Sequence, residues 1–154
     1  MSAIKYKNKR QYLDFYAAET ARVYGTLFQG LHFDAILPVP IHPKRKKKRG
    51  FNQASLFARL LSDLIRIPVC DSLLLRTINT LPQKNLDPAK RLRNLQAAFS
   101  ITPAYKNIPL PFQRVLLVDD IYTTGATMEA VTRLLNEHGV PEVYIFSICI
   151  GKGF

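Results

Sequence analysis

Val115-Leu116-Leu117-Val118-Asp119-Asp120-Ile121-Tyr122-Thr123-Thr124-Gly125-Ala126-Thr127 is the stretch on which the reading of this chain turns. Its first four residues are valine and leucine without a polar interruption, the pattern of a strand covered on both faces in a parallel sheet. Two carboxylates follow, then a run of small and hydroxylated residues. Beyond it Met128, Val131, Leu134 and Leu135 mark one face of a helix. In open α/β sheets ligands sit beyond the carboxyl ends of strands, and this reading puts Asp119 and Asp120 at such an end. The N-terminus of a helix attracts a phosphate through its unpaired amides and its dipole. Thr123, Thr124, Gly125, Ala126 and Thr127 are therefore the candidate phosphate cradle. The carboxylates would repel that phosphate and suit hydroxyl groups instead, and a ribose 5-phosphate presents both. An isolated Asp pair or Thr-Thr-Gly reads more simply as a capped helix. The whole string after a buried strand satisfies several independent requirements at once.

Working outward, Gly139 ends that helix with Pro141 just beyond, and Val143 to Ile150 reads as a last, largely apolar strand. Upstream, Tyr12, Phe15, Tyr16, Val23, Tyr24, Leu27 and Phe28 recur at helical spacing and predict a helix from Arg10 to Gly30 with these residues on one face. Ala35 to Val39 reads as a strand entering a loop, Ile41 to Gly50. A second helix is expected from about Asn52, a good N-cap, to Ile65, with Ala54, Phe57, Leu61, Leu64 and Ile65 on one face. Leu73 to Leu75 and Ala98 to Ile101 are short strand candidates, and Arg76 to Gln96, interrupted by Pro82 and Pro88, reads as a loop with one or two helical turns. Alternating strands and helices of these lengths predict an α/β domain with a mainly parallel sheet flanked by helices. One structural domain is expected, residues 1–34 forming a helical segment that packs on the core of 35–154.

A chain of 154 residues, 47% hydrophobic, is of a size to bury one core. No apolar run approaches the roughly 20 residues of a membrane span, and the basic start has no apolar stretch behind it, so a cytoplasmic, uncleaved chain with no membrane insertion is expected. Cys70 and Cys149 form no CxxC pair and read as buried, reduced thiols, not as zinc ligands or a disulfide. With 22 Lys+Arg against 11 Asp+Glu the net charge is +11, which favours polyanionic partners, whether phosphorylated small molecules or nucleic acid. The excess is clustered at Lys5, Lys7, Lys9 and Arg10, at the six consecutive bases Lys44 to Arg49, and at Lys84, Lys90, Arg91 and Arg93. Nucleotide and hydrolase motifs of the GxxxxGK[ST], GxGxxG, HExxH and GxSxG kinds are missing.

VLLVDDIYTTGAT resembles the phosphoribosyl pyrophosphate (PRPP) signature of type I phosphoribosyltransferases. Pro38-Val39-Pro40 through Lys44-Arg45 to Arg49-Gly50-Phe51-Asn52-Gln53 resembles the signature of ComF-type proteins, and Arg76, Thr80, Gln83, Arg91, Asn94 and Phe99 match the spaced pattern that follows in them. The resemblance covers the chain from about Lys5 onward. It implies Asp119 and Asp120 on the ribose hydroxyls, residues 123–127 around the 5-phosphate, and magnesium carried in with the pyrophosphate. Protein ligation of that metal is expected at most from Asp119 and Asp120 through water. ComF proteins often begin with a four-cysteine zinc module, for which this chain has no cysteines, so no zinc is expected in a short or trimmed member.

The loop after the first strand is where such transferases hold pyrophosphate, and its bases suit several negative charges. Lys44, Arg45 and Arg49 are the candidates there, and Lys46, Lys47 and Lys48 are left for a nucleic acid. His42 reads as an exposed loop residue, Phe51 as a core anchor, and Gln53 as a residue that caps or orients the loop. Gln83 to Asn94 corresponds in position to the loop that closes over PRPP, so Lys84 and Arg91, with Arg93, are the candidate catalytic residues shielding the leaving group. The reaction of such an enzyme is displacement of magnesium pyrophosphate by a nitrogen nucleophile, for which no general base is evident; whether this chain catalyses it is left open. The resemblance implies a role in natural competence, with translocation supplied by a helicase partner, and homodimerisation is compatible with it. Two alternatives stand beside this reading: an accessory protein that binds single-stranded DNA and uses the pocket only for sensing, and a nucleobase salvage transferase, against which the RGFNQ segment weighs.

Overall fold

The computed structural model describes residues 11–78 and 97–151. Helix α1 spans Gln11–Gly30, and strand β1 spans Ala35–Pro38. Helices α2, Pro43–Arg49, and α3, Gln53–Ile65, come next. A ribbon of β2, Leu74–Arg76, and β3, Phe99–Ile101, precedes β4, Arg114–Tyr122; then come α4, Ala126–Glu137, and β5, Glu142–Ile150. The main sheet has the order β1-β4-β5 and is parallel throughout. Ile36 also bridges Val69 in parallel, extending the sheet on the β1 side. The mainly parallel α/β architecture is as the sequence predicts; the antiparallel pairing of β2 with β3 is an addition to it.

Alternation along β4 divides the core into two. Val115 and Leu117 pack on one face with the ribbon residues Leu73, Leu74, Phe99 and Ile101 and with Met128, Val131 and Leu135 of α4. Leu116 and Val118 pack on the other with Leu13, Ala17 and Phe28 of α1 and with Phe57, Leu61 and Ile65 of α3. Both faces are covered, which is why this strand shows no polar alternation. Phe57 stacks on Phe146 of β5 with ring centroids 5.8 Å apart. At the N-terminal edge Asp34 accepts backbone hydrogen bonds from Gln113 (2.6 Å) and Arg114 (2.8 Å), and Arg114 forks onto Glu142, tying β1, β4 and β5 together. The Arg114 guanidinium holds the Glu142 carboxyl below the usual carboxylate range.

Four details differ from the sequence reading. Most of the apolar stripe of α1 is not its buried face: of that stripe Phe28 is buried and Tyr16 packs partly on the core, whereas Tyr12, Phe15, Val23, Tyr24 and Leu27 are exposed, and Leu13, Ala17, Thr20 and Gly25 are buried instead. Close helix packing selects small residues, and a Cβ at Gly25 would lie 3.6 Å from Ile65 of α3. Leu64 likewise faces solvent. The stretch from Ile41 to Gly50 is no loop, because Pro43 to Arg49 is helical. Proline suits the first helical position, lysine and arginine are good helix formers, and Gly50 closes the helix in the left-handed region at φ 81°. Finally, Cys70 and Cys149 are partly exposed, not buried. Among the described residues no helix is long and apolar enough to cross a membrane.

Candidate functional site

Strand β4 does not stop at Val118 as the sequence suggests. It stays in register with β5 through Asp119↔Ser147 to Tyr122↔Ile150, because β5 offers nine residues of backbone to pair with. The two carboxylates therefore lie inside a strand, and successive side chains of a strand point to opposite faces. Asp119 follows Val115 and Leu117 on the ribbon and α4 side. Asp120 follows Leu116 and Val118 on the α3 side. One ligand meets both only where the faces converge, at the carboxyl edge of the sheet. Both aspartates are half-buried, and the Asp120 backbone N–H donates to Asp119 Oδ1 at 2.7 Å.

Beyond Tyr122 the chain bends through Thr123 and Thr124, both exposed, to Gly125. Gly125 occupies the N-cap of α4 with φ 78°, and its carbonyl accepts the Glu129 N–H at 2.9 Å. No side chain caps the helix, so its first amides, at Ala126 and Thr127 among others, remain available to an anion. A Cβ at Gly125 would approach Tyr122 Oη to 2.5 Å, so any other residue would be strained by φ and would displace the tyrosine side chain. Residues 119–127 thus assemble as one continuous rim.

Above β1, Asn52 holds the next turn. Its side chain accepts from the Ala54 N–H and donates to Val39 O and Ser55 Oγ, both at 2.9 Å, which fixes the exit of β1 to the start of α3. Asn52 is the N-cap that the sequence predicts; Gln53, expected to cap or orient the loop, has its side chain buried with its Nε2 making no hydrogen bond among the described residues. Phe51 packs against the α1 and α3 core, as an anchor should. His42 is not a loop residue but the N-cap of α2, its Nδ1 accepting the Lys44 N–H at 3.2 Å.

Helix α2 sorts the six bases. Arg45 and Arg49, one turn apart, are half-buried, whereas Lys44, Lys46, Lys47 and Lys48 are exposed. At 100° per residue Lys47 and Lys44 lie on the side away from the two arginines, with Lys46 and Lys48 on the two flanks. Lys44 is thereby separated from Arg45 and Arg49, with which the sequence reading grouped it. Lys84, Arg91 and Arg93, with Gln83, lie outside the described residues.

One site residue carried no role in the sequence reading. Arg76, at the end of β2, lies over the Phe99 ring with its guanidinium carbon 5.0 Å from the centroid. Burial pushes its guanidinium below the ordinary arginine value, nearby Arg45 pushes the same way, and Asp119 pulls it back up. Only the spaced pattern of which it is part signalled it beforehand. Two arginines and a carboxylate from three different elements therefore share one electrostatic neighbourhood. That arrangement suits a ligand with a hydroxylated middle and anionic ends.

Comparison with known proteins agrees. The phosphoribosyl transferase domain family matches residues 54–152. Competence protein F of Haemophilus influenzae is 37% identical over 115 residues, 75% of this chain and 49% of that protein. Competence protein ComFC of Bacillus subtilis is 29% identical over 139 residues, 90% of this chain and 53% of that protein. The chain thus spans about half the length of these relatives. The glutamine PRPP amidotransferase of B. subtilis, solved with ADP and GMP, aligns with a TM-score of 0.53 at 18% identity over 90% of this chain and 26% of that one, a likeness of fold.

Proposed function

The chain belongs to the phosphoribosyl transferase domain family and is of the ComF type, and from that premise we propose that it binds PRPP at the carboxyl edge of its parallel sheet. The observation that carries the proposal is the continuous rim from Asp119 to Thr127: two half-buried carboxylates leading through a glycine turn into an uncapped helix N-terminus. Asp119 and Asp120 accept hydrogen bonds from the ribose hydroxyls. The amides around Gly125, Ala126 and Thr127, with the hydroxyls of Thr123, Thr124 and Thr127, take the 5-phosphate. Arg45 and Arg49 face the diphosphate; Lys44, turned away, contributes long-range charge only.

Magnesium belongs to this reading as the companion of the diphosphate. Two adjacent carboxylates fit a hard cation that keeps most of its water and arrives on phosphates, so Asp119 and Asp120 would hold it through water. When bound it neutralises charge on the departing pyrophosphate. Displacement at C1 of the ribose by a nitrogen nucleophile is the reaction this arrangement would support, with positioning and electrostatics contributing most of the rate. Lys84 and Arg91 remain the candidates for shielding the leaving group.

Titration calorimetry with PRPP and magnesium tests the site. Asp119→Asn combined with Asp120→Asn should abolish binding while the far-ultraviolet circular dichroism stays unchanged. Undiminished affinity in that variant overturns the ribose assignment.

The relatives named for competence extend the proposal to a role in DNA uptake, with a helicase partner supplying translocation. A nucleic-acid reading has one observation of its own: Lys44 and Lys47 lie on the side of α2 away from Arg45 and Arg49, with Lys46 and Lys48 on its flanks, and all four lysines are exposed. It fits a single strand running across the outside of the site, so PRPP and DNA need not compete.

A further inference from the structure

We propose that Arg76 is a third diphosphate-binding arginine, brought by the β2–β3 ribbon to the face of β4 that carries Asp119; the assignment rests on the PRPP reading above. The placement follows from the packing. Leu73, Leu74, Phe99 and Ile101 of the ribbon and its approach lie on the face of β4 that carries Val115 and Leu117, and Asp119 is the next residue on that face. Arg76 pairs with Phe99 at the end of the ribbon and lies over its ring, with Nε shut off from solvent. A stacked guanidinium has few rotamers left to lose when an anion arrives, so it can bind at small entropic cost.

The charge arrangement says which ligand it suits. Burial and the nearness of Arg45 both disfavour the Arg76 cation, and the Asp119 carboxylate offsets part of that. Two guanidinium groups held near each other on separate elements gain most from a ligand carrying charge on more than one phosphoryl group, which can pair with both. Diphosphate has that character, whereas the single 5-phosphate is served by the α4 amides. In the alternative arrangement Arg76 merely braces Asp119, and the experiment below separates the two.

Calorimetric titrations of the full chain with inorganic pyrophosphate plus magnesium, and separately with ribose 5-phosphate, compare the unmodified protein with Arg76→Gln and Arg76→Lys. Loss of one charged hydrogen-bonding partner should weaken pyrophosphate binding by about tenfold or more in Arg76→Gln. Ribose 5-phosphate affinity should stay within about twofold of the unmodified protein's, because its hydroxyls and phosphate use Asp119, Asp120 and the helix amides. Arg76→Lys keeps the charge and loses the planar fork, so it should recover part of the pyrophosphate affinity; it also carries the test should the glutamine variant fail to fold. Pyrophosphate affinity that is unaltered in both variants, or equal losses for both ligands, overturns the assignment. So does an unmodified protein that ignores pyrophosphate. If instead that protein binds pyrophosphate through Arg76 but not ribose 5-phosphate, the PRPP reading falls and the arginine assignment stands.

Discussion

Gly125 combines two constraints that no other residue satisfies without strain. Its φ of 78° lies in the left-handed region, and the space a Cβ would fill is occupied by the Tyr122 ring. The first constraint costs roughly 1 kcal/mol for alanine, and the second forces the tyrosine to move. Gly125→Ala should therefore lower stability by about 1–2 kcal/mol in urea unfolding and weaken ribose 5-phosphate binding, because the amides of residues 126 and 127 would turn away. Adding Tyr122→Phe removes the nearest atom and should return part of the loss. Full stability in the single variant would contradict the strained-cap account. This residue was legible in the sequence, since a glycine between hydroxylated residues and a helical period has few other uses. That Tyr122 closes over it was not.

Helix α2 shows what local chemistry can do without a core. It buries no residue and carries like charges one turn apart, which repel; it is defined by its ends. His42 and Pro43 start it, and Gly50 donates its N–H to Lys46 O at 2.7 Å to stop it. Gly50→Ala should raise the free energy of the closed helix by about 1 kcal/mol and speed hydrogen exchange of the amides of residues 46–50 about fivefold. Exchange elsewhere in α3 and β4 should be unchanged. Equal acceleration across the whole chain would show that α2 does not open on its own. Every capping residue of α2 was visible in the sequence, but six successive bases read more readily as a solvated loop. For α1 the reverse happened: the apolar period was real, yet the buried side was chosen by Ala17 and Gly25, whose smallness lets α3 approach.

At the scale of the molecule, the net charge of +11 is distributed in two directions. In the proposed site Arg45, Arg49 and Arg76 face the ligand, whereas Lys44 and Lys47 on the far side of α2 and Lys48 on its flank are exposed. Replacing these three lysines by glutamine should reduce the slope of log affinity against log salt for single-stranded DNA by about 2, at about 0.7 per phosphate contact. PRPP affinity should stay nearly unaltered. A slope indifferent to the change would remove the nucleic-acid reading and leave the pocket reading intact. The sequence by itself determined the α/β class and the strand, carboxylates and glycine turn of the site, because those requirements are met by neighbours along the chain, where periodicity and capping act. Only the tertiary structure decided that Asp119 and Asp120 lie on opposite faces of a longer β4, that Arg45 and Arg49 are half-buried while the lysines are exposed, and that Arg76 lies near Asp119 and Arg45. Each of those facts depends on which element packs against which, and no local pattern of residues encodes that.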